Sequence, residues 1–218
     1  KYVQNTVIHV EKEGASYILN GSSVFYVLRQ LFAFLLCNHL LTNTLMFFVD
    51  GHSLYSSVIV FFSWHKKVRV ILDWYHLKKK CKELLSMALK GKDIRNSVLE
   101  KLLPLLWHGL VDQAIHYLNS LSESQIKNEK ERNHLIGYLE KNHPMIPAYA
   151  VRRELGLRNS SNRGEKANDL IVADRQKHNG MSWSNSGSVA LASVTALKKN
   201  KEYKMWFQEG ELEFKLVS

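Results

Sequence analysis

Two short apolar runs, each closed by an aspartate, constrain this chain more than any other feature. "LMFFVD" ends at Asp50, and "VRVILD" ends at Asp73, twenty-three residues further on. Such runs are too short for buried helices and do not alternate, so they suit strands covered on both faces. The stretch between them, about Ser53 to Phe62, is the length of a helix. Strand, helix, strand of this kind predicts parallel neighbours in an α/β layer, each delivering a carboxylate at its C-terminal end. Two plainer readings stand beside that one. Asp50 before Gly51 is also a turn signature, and Asp73 can cap a helix that begins near Trp74.

The flanking sequence supplies the rest of the layer. Val3 to Val10 is rich in β-branched residues, "EKEGA" reads as a turn, and "SYILNG" as a second strand, which together predict a hairpin. Ser22 or Ser23 can cap a helix running to about Leu41. Beyond His76 the pattern becomes helical: Leu77, Cys81, Leu84, Leu85 and Ala88 share one face, and lysines take the other. Further helices are expected over Ile94 to Leu106, Leu110 to Leu121 and Glu129 to Asn142, with Pro144 and Pro147 closing this part. Glu165 to Lys177 reads as one helix, and Ser186 to Lys199 as a last, small-residue-rich one. The expected organisation is an α/β part over 1–76, a helical part over 77–150, a C-terminal helix region over 151–200 and a tail over 201–218. The chain starts at Lys1 and goes straight into a strand, so it reads as a piece of a longer frame.

Charge points to a polyanionic partner. Lys and Arg number 30 against 20 Asp and Glu, a net charge of +10. Nucleic acid is the first candidate and an anionic membrane surface the second. The excess is dense between Lys78 and Lys101, with eight cations against three acids, and Lys78, Lys79 and Lys80 are consecutive. The apolar stretch Val24 to Val49 is broken by Arg29, Asn38, His39 and Asn43, so it does not read as a membrane span. Cys37 and Cys81 have no metal-ligand spacing and suit a reducing cytoplasm.

Three acids could do chemistry: Asp50, Asp73 and Glu165. Mg²⁺ takes oxygen ligands, usually one or two carboxylates plus substrate phosphates, and paired ions can clamp a phosphoryl transfer. Strand ends on a parallel sheet make such acids converge, and a helix can add another. Glu165 also completes a capping box with Asn162. His76 sits three residues after Asp73, where a packing role competes with a ligand role. Arg163, Lys166, Arg175, Lys177 and His178 are candidates for phosphate contact, and Trp183 for base stacking or for a place in the core.

Taken together, "FFVDGH", "ILDWYHLKKKC" and "LRNSSNRGEKANDLIVADRQKHNGMSW" resemble bacterial insertion-sequence transposases of the ISLre type, relatives of the Mutator-like transposases. The resemblance runs from Tyr2 to Leu216. It implies a ribonuclease H-like mixed sheet with an all-helical insertion at about Leu77 to Ala150, and a DDE catalytic set. Asp50 matches the second catalytic aspartate, in its "DG" context, and would hold metal. Asp73-Trp74-Tyr75-His76 matches a C/D-x-x-H signature near the site. Glu165 matches the final glutamate, also a metal ligand, with Asp169 and Asp174 as alternatives on the same helix. The implied cofactor is Mg²⁺ or Mn²⁺. The implied partner is DNA, both element ends and target, with cytoplasmic, nucleoid-associated location and self-association.

One departure matters. The group's first catalytic aspartate lies on a strand ahead of the hairpin, and this chain opens on the hairpin. Asp50 cannot take that role, because the residues up to Asp73 hold only one helix and one strand. The sheet is therefore expected to be incomplete and the chain inactive by itself. Two rivals stand: a DNA-binding remnant without catalysis, and a nuclease or RNA-processing member of the same fold.

Overall fold

A computed structural model describes residues 5–176 and 182–216, apart from the side chains of His52, Ser53 and Arg175. The chain divides into two compact units, one of 1–44, 57–67 and 162–218, the other of 45–56 and 68–161. Both are mixed α/β, as the patterning required. Each has a two-stranded sheet, and neither sheet has a third strand among the described residues.

The first unit is built on a hairpin. Strand β1 (Thr6–Lys12) runs antiparallel to β2 (Ala15–Gly21), with Lys12 opposite Ala15. Glu13 and Gly14 make the turn, with φ of 51° and 89°. Two positive φ values are what a two-residue hairpin needs to match strand twist, so the turn is tighter than "EKEGA" suggested. Helix α1 (Val24–Cys37) starts where the Ser23 hydroxyl accepts the Tyr26 N–H, and buries Val27, Leu28, Leu31, Phe34 and Leu35. It ends short of Leu41 because Asn38 caps it, donating its amide to Phe34 O and Phe214 O, and His39 turns left-handed. Phe34, Tyr17 and Phe214 pack ring against ring, with centroids 4.6 to 5.4 Å apart.

The polar stretch after Ser161 forms one helical run with an irregular middle. Helix α8 (Asn162–Asn168) passes through a π turn, Asp169–Ala173, into α9 (Asp174–Gln176). Gln176 then pairs twice with Ser188 of α10 (Asn185–Lys199), donating to its carbonyl at 2.9 Å and accepting from its hydroxyl. Helix α11 (Tyr203–Glu209) follows Glu202, a buried acid that accepts from the Tyr17 hydroxyl (2.5 Å) and the Phe214 N–H (2.6 Å).

The second unit contains the two strands that opened the argument. Strand β3 (Leu45–Val49) pairs in parallel with β4 (Val68–Leu72), from Leu45 opposite Val68 to Val49 opposite Leu72. In the chain, helix α2 (His52–Phe61), whose residues divide between the two units, follows β3, and α3 (Trp74–Ala88) follows β4. The helical part continues as α4 (Lys92–Trp107), α5 (Val111–Asn119), α6 (Glu129–Asn142) and α7 (Tyr149–Glu154). The face of α3 formed by Leu77, Cys81, Leu84, Leu85 and Ala88 is buried, as its spacing predicted. Tyr149 ties the helices to the sheet: its hydroxyl donates to Leu72 O at 2.8 Å, and its ring stacks on Trp107 at 5.8 Å. Gly109 permits a close turn between α4 and α5, since its φ is +74° and a Cβ there would lie 2.9 Å from Ala148 N. No helix among the described residues is long and apolar enough to cross a membrane.

Candidate functional site

Asp50 and Asp73 follow the last register pair of β3 and β4, and the Asp73 N–H donates to Val49 O at 2.9 Å. Equivalent positions meet opposite environments. Asp73 is fully buried, and Asp50 is exposed. The Asp73 carboxylate accepts four hydrogen bonds. Oδ1 takes the His76 N–H (2.9 Å) and faces His76 Nδ1 (3.2 Å); Oδ2 takes the Ser161 N–H (2.5 Å) and the Ser161 hydroxyl (3.1 Å). Two carboxylate oxygens offer about four lone-pair sites, so Asp73 is saturated. It caps α3, sets the orientation of the His76 imidazole and pins the chain at Ser161.

The pinned segment is anchored at more than one point. Asn159 O accepts from the Trp74 N–H at 3.1 Å, and the Asn159 amide donates to Tyr149 O at 2.9 Å. Arg152 donates to Arg158 O and to Asn159 Oδ1, and its guanidinium lies 5.9 Å from the centre of the Phe48 ring. Burial lowers the Arg152 pKa from its ordinary value, and the neighbouring Tyr149 partly opposes this. The start of the long basic motif therefore works as a fastening between α7 and the β4–α3 junction. Sequence reasoning singled out neither Asn159 nor Ser161.

Beside this fastening lies a cleft of about 320 Å³, lined by Asp50, His76, Lys79, Lys80, Glu83 and Tyr138. His76, Lys79, Lys80 and Glu83 are three and four residues apart, so one face of α3 presents them all. Asp50 enters from the end of β3 and Tyr138 from α6. Among the described residues, the side chains of Asp50, Lys79, Lys80 and Glu83 and the Tyr138 hydroxyl have no hydrogen bond or ion pair. Burial raises the Tyr138 pKa to about 12, helped by Cys81 and Asp50, which keeps the hydroxyl a neutral donor. Burial also pushes the Cys81 thiol up to about 12, so Cys81 is core and not a nucleophile.

The donor chemistry of the cleft fits a hard divalent cation. Asp50 and Glu83 bring carboxylates without partners, and Mg²⁺ needs only one or two before water and phosphate oxygens complete its shell. The Asp73 carboxylate is engaged by His76 and Ser161. Asp50 is not one of any three His, Cys, Asp or Glu side chains, among the described residues, close enough to share an ion.

The remaining sequence candidates fall elsewhere. Lys78 is exposed on α3, outside the cleft lining. Glu165 and Lys166 are exposed on α8 of the first unit, and Arg163 is ion-paired with Glu11 of β1. Lys177, His178 and the Arg175 side chain lie outside the described residues. Trp183 is half-buried, and its indole N–H is buried without a partner among the described residues.

Fold and cleft together define an α/β protein with a charged site at the carboxyl end of a parallel strand pair. The chain belongs to the family described as Uncharacterised protein family (UPF0236), which matches residues 27–212. No curated protein and no solved structure matches it.

Proposed function

We propose that the chain is part of a DNA transposase of the insertion-sequence type, ribonuclease H-like in its catalytic part and acting by metal-dependent phosphoryl transfer. The observation that carries this reading is Asp50: an exposed, unpartnered acid at the carboxyl end of a parallel strand, in one cleft with Lys79 and Lys80. Ligand sites in open α/β sheets lie at such strand ends. Asp50 would hold Mg²⁺ or Mn²⁺, and the family resemblance adds Glu165 as a further ligand. When bound, the metal offsets charge on the phosphoryl group and activates the attacking oxygen. Lys79 and Lys80 position a DNA phosphate. Asp73 holds the His76 ring in one orientation and Ser161 in place.

A second reading, DNA binding without catalysis, draws on the saturation of Asp73, which leaves Asp50 as the one exposed acid at the two strand ends. A strand-transfer assay on the element's own ends, with Mg²⁺ or Mn²⁺, separates the two. On the transposase reading, a longer chain that carries the first aspartate upstream cleaves and joins. Asp50→Asn or Glu165→Gln in that longer chain abolishes both steps and leaves it folded. A longer chain that binds DNA and joins nothing supports the second reading. Activity that survives Glu165→Gln and dies with Asp169→Asn or Asp174→Asn moves the ligand along the helix.

A further inference from the structure

The cleft beside α3 is electrically balanced. Asp50 and Glu83 set two negative charges against the two positive charges of Lys79 and Lys80. Those charges do not cancel by pairing: no ion pair joins them among the described residues. Lys79 and Glu83 are four apart with the lysine first, the less favourable orientation for such a pair on a helix. Both lysines and both acids thus face the same space with their bonding capacity unspent. The Tyr138 hydroxyl joins them as a neutral donor.

A phosphate entering this space is drawn by the lysines and repelled by the carboxylates, so the two effects oppose each other. A divalent cation meets the mirror-image problem. When a cation sits on Asp50 and Glu83, the repulsion is removed, and Lys79, Lys80 and Tyr138 are left to take the phosphate. The sign of the coupling follows from these charges alone.

We propose that this cleft binds a divalent cation and a phosphate group together and neither well alone, with Asp50 and Glu83 holding the cation and Lys79, Lys80 and Tyr138 the phosphate. The inference rests on the transposase reading only for the identity of the phosphate as part of a DNA backbone. It adds Glu83 and Tyr138 to the site, and it makes metal occupancy the condition for engaging a phosphate there.

The test is a titration of the chain with inorganic phosphate, at constant ionic strength, with and without saturating Mg²⁺. Binding is followed through the backbone amide resonances of α3. Mg²⁺ should tighten phosphate binding at least about fivefold, the low end of ordinary coupling between two ligands, and phosphate should tighten Mg²⁺ binding by the same factor. Glu83→Gln should raise phosphate affinity in the absence of metal and shrink the Mg²⁺ effect. The double change Lys79→Gln, Lys80→Gln should remove phosphate binding in both conditions, and Lys130→Gln, elsewhere on the surface, should change neither. Equal phosphate affinity with and without Mg²⁺, or a Glu83→Gln protein that behaves as the parent, overturns the proposal. Amide spectra of each variant show whether it is folded. Coupling without strand transfer by the longer chain refutes the transposase reading alone, and strand transfer without coupling refutes this inference alone.

Discussion

Replacing Asp73 by alanine tests whether this acid is a fastening or a ligand. The change removes an N-cap from α3, which costs about 0.5–2 kcal/mol. It also removes the charged acceptor of the Ser161 N–H and hydroxyl, and a hydrogen bond to a charged group contributes about 1.5–3 kcal/mol. The losses share one carboxylate and do not simply add, so Asp73→Ala should destabilise the chain by about 2–5 kcal/mol. Against a whole stability of about 5–15 kcal/mol that is severe. Asp50→Asn, at an exposed side chain with no partner, should stay within about 0.5 kcal/mol of the parent. Urea unfolding followed by tryptophan fluorescence reads both, since Trp74 lies next to the lesion and is hydrogen-bonded to Asn159. Ser161→Ala, alone and combined with Asp73→Ala, closes a double-mutant cycle whose coupling should be about 0.5–3 kcal/mol. If Asp73→Ala is as mild as Asp50→Asn, or the cycle shows no coupling, the fastening described here does not hold.

Gly109→Ala should cost at least about 1–2 kcal/mol, because a left-handed φ penalises any side chain and the new Cβ meets backbone at Ala148, a loss visible as an earlier thermal transition. Duplex DNA should bind at low salt and release steeply as salt rises, since each neutralised phosphate frees counterions; a binding isotherm unmoved between low and physiological salt contradicts it. Alkaline stability should reflect Tyr138. Its folded pKa of about 12 lies above the ordinary 10.0, so its contribution is complete below pH 10 and fades as pH climbs towards 12. Tyr138→Phe should flatten that part of the alkaline unfolding curve, and an unchanged curve refutes the assignment.

What the sequence disclosed was local. The apolar runs ending at Asp50 and Asp73 defined two parallel neighbours because strand burial leaves a continuous apolar signature. The 77–88 face of α3 was readable because helical periodicity repeats within one element. The hairpin turn was misjudged in length, since the left-handed pair Glu13–Gly14 is set by strand twist and not by composition. The role of Asp73 was open between cap and ligand, and the deciding partner, Ser161, lies 88 residues away. Tyr138 reaches the cleft from α6, where it reads as one more aromatic in an amphipathic helix. Glu83 was hidden in plain view, counted among the few acids of a basic run. Long-range polar partnerships leave no periodic trace, which is why the site was partly legible and its fastening was not.

The π turn at Asp169–Ala173 also sets a rotational phase. An α-helix advances about 100° per residue, and a single π turn accommodates one residue more than the helix would otherwise hold. Helix α9 is therefore turned by about that angle relative to a regular continuation from α8. Gln176 meets Ser188 in this turned position. Deleting one residue between 169 and 173 would restore regular pitch and swing the Gln176 amide away from α10. In this short run, sequence length is an angular setting, and a loss harmless to helix propensity would be read by the fold as a rotation.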